Sequence, residues 1–207
     1  MDEFDRVLDY WFGAPGSEEH GTYREIWYHG GPEVDAEITE RFASLYDRAA
    51  AGELDHWREQ ARSCLALILL FDQFPRNMFR GTPRSFATDP KAVEIARHAV
   101  ERGYDRGLDH STQQFYYMPL EHSEDIADQR RSVELFRAGT DGAHKEENIG
   151  FAVQHLEIIE QFGRFPHRNT IVGRDSTPEE IKFLEDGGEK VQFGTQRNQE
   201  PEDAATE

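Results

Sequence analysis

The chain has 207 residues, of which 37% are hydrophobic and 12% aromatic, and its formal net charge at pH 7 is −18. This content of large apolar side chains excludes an intrinsically disordered protein, and the negative charge argues against nucleic acid or an anionic membrane as a partner, because phosphate groups would be repelled. The longest apolar run has eight residues, from Cys64 to Phe71, where a membrane span needs about 20, and the N-terminus is acidic, so we predict a cytoplasmic protein.

Apolar side chains recur at intervals of three and four residues along most of the chain, whereas sustained alternating runs of Val, Ile and Thr are missing. This spacing predicts an all-α fold. The predicted helices, in chain order, lie at 32–52, 57–71, 89–103, 112–117, 122–138, 146–162 and 178–185. Thr177 and Glu180 form the capping-box pattern of the last one. We therefore predict a single helical domain over residues 1–186, followed by an acidic, mobile tail at 187–207.

An internal duplication is the most informative feature of the sequence. The segment FDQFPRN at 71–77 is repeated as FGRFPHRN at 162–169, with His167 as one extra residue. The residues before and after the two copies also correspond, at offsets of 91 and 88. The duplication predicts a unit of helix, Phe-Pro loop and helix that occurs twice. Such units bury their apolar faces by stacking, which predicts an array of antiparallel helical hairpins.

Four segments resemble a known family. They lie at 7–13 (VLDYWFG), 65–77 (LALILLFDQFPRN), 117–125 (YMPLEHSED) and 163–169 (GRFPHRN), the last followed by Gly173 and Arg174. Together these motifs resemble the bacterial family called domain of unknown function 924, over roughly residues 4–185. The resemblance implies a fold similar to that of the tetratricopeptide-repeat-like superfamily. It implies no established activity and no catalytic residues.

The two duplicated segments are rich in arginine and free of acids. Residues 73–88 and residues 161–174 each contain three arginines and no aspartate or glutamate. Arginine, loop amides and a following helix N-terminus can form a site for phosphate or carboxylate. The candidate ligand-binding residues in these segments are Arg76, Asn77, Arg80, Arg164, Arg168, Asn169 and Arg174. Alternatively, the same arginines bind helix-end carbonyls and internal acids, in a purely structural role.

A second polar segment, Glu121-His122-Ser123-Glu124-Asp125, lies between the two copies. On a helix starting at His122, residues three apart share one face. His122, Glu121 and His167 are the candidate catalytic residues for general acid–base chemistry, and Asp125 is a further candidate ligand-binding residue. A divalent metal bound with the help of His155 or His167 is a weaker alternative, since no dedicated metal motif is present, and we predict no metal.

Two functions follow from these motifs. In the first, residues 74–80, 117–125 and 164–174 form an Arg/His/carboxylate cleft that binds a small anionic ligand, with or without acid–base catalysis. In the second, the concave face of the helical array binds a peptide or a protein, and the polar motifs only hold the fold together. The compact, mixed-charge and duplicated motifs favour the first. The sequence identifies no cofactor and leaves open whether the protein is an enzyme.

Overall fold

A computed structural model describes residues 2–28 and 30–188. Over these residues it contains helices and no strands, which confirms the all-α prediction. The α-helices are α1 (Glu3–Phe12), α2 (Pro32–Ala50), α3 (Ala61–Met78), α4 (Asp89–Arg102), α5 (His110–Glu121), α6 (Ile126–Ala138), α7 (Lys145–Phe162), α8 (Asn169–Val172) and α9 (Pro178–Glu185). Residues 189–207 of the predicted tail lie outside the described residues. No described helix is long and apolar enough to cross a membrane.

Helix α3 is the centre of the fold. Every residue from Ser63 to Arg76 is buried, because α1, α2, α4 and α5 all pack against it. A helix that is apolar on all sides is stable only when neighbours cover it on all sides. Its C-terminal part carries the buried polar residues Asp72, Gln73 and Arg76. The fold therefore places buried polar side chains at the C-terminal end of its most buried helix.

The first copy of the duplicated motif is not a loop. Helix α3 continues through Pro75 to Met78, so the loop prediction for 71–77 is wrong. Pro75 cannot donate to the carbonyl of Phe71 four residues earlier, but the hydroxyl of Thr88 donates to that carbonyl over 2.7 Å. This bond replaces the missing backbone bond, and the helix is not interrupted.

The second copy forms the predicted loop. Helix α7 ends at Phe162, and Gly163 follows with φ +68°, a conformation that favours glycine. Residues Pro166–Arg168 form a short 3-10 turn that leads into α8. The two copies therefore differ where Asp72 in the first corresponds to Gly163 in the second.

The predicted helix start at His122 is also wrong. Helix α5 extends to Glu121 and ends at His122, while the carboxylate of Asp125 accepts bonds from the amides of Ala127 and Asp128 and caps α6. Residues 122–125 form the turn between two helices. Residues three apart in this segment therefore do not share a helical face.

The other predicted helix signals agree with the structure. Pro32 is in the first turn of α2, and Gly103 ends α4 with φ 70°. Both bonds of the capping box between Thr177 and Glu180 are present at α9. Consecutive helices from α2 to α7 each pack on the next one along the chain.

Candidate functional site

A cavity of about 200 Å³ lies where the C-terminal ends of α3 and α5 meet α7 and the loop that follows it. Seven of the eleven predicted site residues line it, namely Arg76, Asn77, Arg80, Glu121, His122, His167 and Arg168. The structure thus brings together residues that are up to 92 positions apart in the sequence.

The other four predicted residues do not line this cavity. Arg164 binds both carboxylate oxygens of Glu180, at 2.6 and 2.8 Å, and Asn169 donates to the same carboxylate over 3.1 Å. The other two are Arg174, which binds both oxygens of Glu124 at 2.7 and 2.9 Å, and Asp125, which caps α6. These bonds attach the loop after α7 to α9 and to the α5–α6 turn. The bonds of these four residues therefore fit the alternative prediction, in which the polar residues of the motifs hold the fold together.

Arg76 and Arg168 hold equivalent positions in the two copies, and they converge. Arg76 binds both oxygens of Asp89 at 3.0 and 3.1 Å. Arg168 reaches one of these oxygens at 3.2 Å and donates to the carbonyl of His122 over 3.0 Å. The ring of Phe86 lies 5.8 Å from the Arg76 guanidinium and 4.6 Å from that of Arg168. The two arginines therefore form one cluster around the carboxylate of Asp89.

The carboxylates that hold the arginines lie behind the cavity wall. Asp72 contacts Arg76 at 3.3 Å, and Asp35 binds Arg80 through both oxygens at 2.7 Å. Neither of these aspartates, nor Asp89, lines the cavity as the described residues define it. The wall therefore includes these arginines, while the carboxylates that bind them are not part of it.

Asp72 orients His122. The Nδ1 atom of His122 lies 2.7 Å from the Asp72 carboxylate. Burial alone would raise the pKa of Asp72, but the charges of Arg76 and His122 hold it below its usual range. An ionised carboxylate only accepts hydrogen bonds, so Nδ1 carries the proton and Nε2 is the nitrogen that remains for a bound molecule. Burial and the charge of Arg76 lower the pKa of His122, which favours the neutral ring.

Glu121 has a raised pKa, in contrast to Asp72. Burial, and then repulsion by Asp72, raise its pKa to about 8, although Arg76 acts against the shift. The Nδ1 atom of His155 lies 3.2 Å from Glu121 and 2.8 Å from the carbonyl of Phe151. Burial, followed by the charge of His122, lowers the pKa of His155 to about 3. At pH 7 this contact therefore joins a neutral carboxyl group to a neutral imidazole.

His167 is the third histidine at this end of the cavity, after His122 and His155. Burial, and then the charge of Arg168, lower its pKa to about 2, so it is neutral at pH 7. A group with this pKa is a poor proton carrier near neutrality. His122, oriented by Asp72, and Glu121, with its raised pKa, remain as the candidate acid–base pair.

An uncharged hydrogen-bond network also lines the cavity, and sequence reasoning missed it. Gln114 accepts from the hydroxyl of Tyr28 over 2.7 Å and from the amide of Asn148 over 2.8 Å. The same amide lies 3.0 Å from Nε2 of His110. These residues belong to three separate segments and to no motif, so only the fold brings them together. Over the described residues no cluster of three His, Cys, Asp or Glu side chains is arranged to hold a metal ion.

Comparison with known proteins extends the resemblance seen in the motifs. The family model described as bacterial protein of unknown function, DUF924, matches residues 7–188. A solved structure of a protein of unknown function from Agrobacterium tumefaciens is similar, with 40% sequence identity and a TM-score of 0.77. The match covers 89% of this chain and 97% of that one. The curated proteins give no match.

Proposed function

Because this chain belongs to the bacterial family of unknown function DUF924, whose description names no activity, we propose a function from its own cavity: it binds a small organic anion and exchanges protons with it. One observation carries the proposal. Arg76, Arg80 and Arg168 line the cavity, and the aspartates that hold them do not. A guanidinium fixed from behind is ready to bind a carboxylate or phosphate without first being ordered.

The charge of the wall supports an anion. The three arginines face two lining acids, Glu147 and Glu121, and Glu121, with a pKa of about 8, is neutral at pH 7. The cavity surface is therefore positive in a chain whose net charge is −18.

The neighbouring His122 and Glu121 support proton transfer. The neutral His122, oriented by Asp72, is a base at Nε2, and Glu121 is a protonated acid. Two adjacent groups whose environments push their pKa values in opposite directions are typical of general acid–base pairs. In the simplest reaction, Nε2 takes a proton from a carbon of the ligand and Glu121 gives its proton to a carbonyl oxygen. A C–H bond of the ligand and the O–H bond of Glu121 break, while an N–H bond of His122 and an O–H bond of the product form. The product is an isomer, and the enzyme is restored when the proton on His122 returns to Glu121 through solvent.

Calorimetry and thermal unfolding with acetate and inorganic phosphate test the binding step. A ligand that binds the folded state raises Tm by mass action, and we expect Arg168→Gln to lose this rise. Arg164→Gln is the matched control, because Arg164 lies in the same loop but does not line the cavity. Equal losses in the two variants, or no binding by the wild type, would refute the proposed site.

The proton-transfer step has its own test. Pyruvate combines a carboxylate with an acidic C–H beside a carbonyl, so exchange of its methyl protons in D2O is followed by NMR. We expect the wild type to accelerate exchange and His122→Gln to lose the acceleration, with a loss of about 10²-fold or more. If the wild type does not exceed buffer alone, the function is restricted to binding.

The interaction-scaffold alternative receives less support. A surface that binds peptides usually exposes a contiguous apolar patch. Among the described residues, the exposed large hydrophobic side chains are Tyr23 and Ile181. Tyr23 itself lines the cavity, so the small-ligand proposal accounts for it as well.

A further inference from the structure

Aromatic rings contribute much of the wall of the cavity. Six of them line it, from four separate segments of the chain: Tyr23, Trp27, Tyr28, Phe86, Phe136 and Phe151. Trp27 and Phe136 also belong to the hydrophobic core around α3, and Tyr28 packs against that core, whereas Tyr23, Phe86 and Phe151 are not part of it. A polar cavity with this many rings is suited to a ligand that has flat apolar faces as well as a charge.

Tyr23 is the ring best placed to contact such a ligand. It stacks on Tyr28 with an angle of 14° between the ring planes and a centroid distance of 5.8 Å. Its centroid also lies 4.8 Å from the ring of His144 and 5.8 Å from that of Trp27. The residue is 38% exposed and lines the cavity. These contacts fix the orientation of the ring, and a bound molecule would contact its exposed part.

The aromatic wall continues to the anion-binding groups. Phe86 lies 4.6 Å from the guanidinium of Arg168, which also lies 4.5 Å from the ring of Phe165. Burial, followed by the carboxylates of Glu121 and Glu147, raises the pKa of Tyr28 above its usual range. The rings and the charged groups therefore belong to one cavity, and one small molecule can contact both.

A set of uncharged polar groups also lies beside the rings. Gln114 bonds to Tyr28 and to Asn148, and burial lowers the pKa of His110, which bonds to Asn148 as a neutral ring. The bonds of Asn148 use its amide nitrogen, so its carbonyl oxygen remains as an acceptor for a hydroxyl or N–H group. The part of the ligand that lies here is therefore uncharged.

From these features we infer that the acid bound by this cavity carries a planar aromatic or heteroaromatic ring, and that Tyr23 stacks on it. The inference rests on the proposed function, since the acid group binds the arginines. It names the class of ligand: an aromatic or heteroaromatic acid rather than an aliphatic acid or free phosphate.

Calorimetry with benzoate and cyclohexanecarboxylate at pH 6.5 tests this class. The two acids have similar size and the same charge, and they differ in whether the ring is flat. A stacked ring pair is worth about 0.5–1.5 kcal/mol, so we expect benzoate to bind about two- to tenfold more tightly. Tyr23→Leu keeps an apolar side chain but removes the ring, and we expect it to abolish the preference while acetate binds as in the wild type.

Tyr104→Leu is the matched control, because Tyr104 is a partly buried tyrosine that does not line the cavity. Equal affinities for the two acids, or a preference that survives in Tyr23→Leu, would overturn the inference while leaving the proposed function intact. If none of the three acids binds, the proposed function fails and the inference fails with it. A preference lost in Tyr23→Leu but kept in Tyr104→Leu supports it.

Discussion

Arg76 and Arg168, which correspond in the two copies of the duplicated motif, bind the same carboxylate. Arg76 contacts both oxygens of Asp89 at 3.0 and 3.1 Å, and Arg168 contacts one of them at 3.2 Å. Asp89 is the first residue of α4, so this carboxylate joins the end of α3, the start of α4 and the loop after α7. The two copies of the motif therefore contribute to a single charged cluster on the wall of one cavity.

The first prediction concerns Asp89. Its side chain is 13% exposed, as against 10% and 8% for the two arginines. Removing one partner of a buried ion pair leaves uncompensated charge and costs about 3–5 kcal/mol. We therefore expect Asp89→Asn to lower the free energy of unfolding by about that amount, as measured by urea denaturation. Asp47→Asn, which breaks the exposed pair with Arg84, should cost about 1 kcal/mol or less. Similar losses in both variants would contradict the buried cluster.

Local signals predicted the helices well where the end of a helix is determined by its own residues. Pro32, Gly103 and the Thr177 capping box act within one turn, so the sequence is enough to place α2, α4 and α9. The continuation of α3 through Pro75 depends on Thr88, which lies thirteen residues later and satisfies the carbonyl of Phe71. A tertiary bond of this kind cannot be read from local spacing.

The candidate site was predicted only in part, because its composition also depends on tertiary contacts. Charge mapping identified arginines in both copies, but it could not tell Arg168, which lines the cavity, from Arg164, which binds Glu180. Asp72 was overlooked although it precedes Arg76 by four residues, a spacing that forms ion pairs on a helix. The loop prediction for residues 71–77 hides this signal, because the spacing has a meaning only on a helix.

The second prediction concerns pH and Glu121, whose pKa is about 8 in the folded protein and 4.5 ordinarily. Between these values the folded protein keeps a proton that the unfolded chain has released. Stability due to this group is therefore complete below pH 4.5 and is lost as the pH rises to about 8. Glu121→Gln cannot ionise, so we expect its stability not to show this fall. Between pH 4.5 and 8 the free energy of unfolding of the wild type should therefore decrease relative to that of the variant by a few kcal/mol in total, at about 1.36 kcal/mol per pH unit.

Urea unfolding at a series of pH values from 5 to 9 measures this difference. Glu147→Gln is the control, because Glu147 also lines the cavity but its side chain is 60% exposed. The control should show the same pH profile as the wild type. A wild type whose stability does not fall between pH 6.5 and 8 relative to Glu121→Gln would show that Glu121 is ionised in the folded protein.

The third prediction concerns acid and His155, whose pKa is lowered from 6.5 to about 3 by burial and by the charge of His122. Below pH 6.5 the unfolded chain binds a proton at this residue and the folded protein does not. Stability therefore falls as the pH decreases from 6.5 towards 3. We expect His155→Asn to be less stable at pH 7 but to lose less stability than the wild type between pH 6.5 and 4.5. Unfolding free energies in urea measure the slope, and the exposed His56→Asn serves as the control. Parallel slopes in the wild type and His155→Asn would exclude a neutral, buried imidazole.

The fourth prediction links ligand binding to a proton. Burial and the charge of Arg76 lower the pKa of His122, and an anion bound at the arginines offsets that charge, so the pKa of His122 should rise on binding. At pH 6.5 Glu121 is already protonated, and His155 and His167, with pKa values of about 3 and about 2, remain neutral. Acetate binding should therefore be accompanied by uptake of part of one proton at His122.

Calorimetry at pH 6.5 in two buffers with different enthalpies of ionisation measures this uptake, since the observed heat changes by the buffer enthalpy for each proton transferred. We expect His122→Gln to bind acetate without uptake, and the exposed His144→Gln to behave as the wild type. Affinity should also increase as the pH falls from 8 to 6, because Glu121 loses its charge over that range. Equal heats in the two buffers for the wild type would mean that the bound anion does not change the pKa of His122. The arginines and the acid–base pair would then not act on the same ligand.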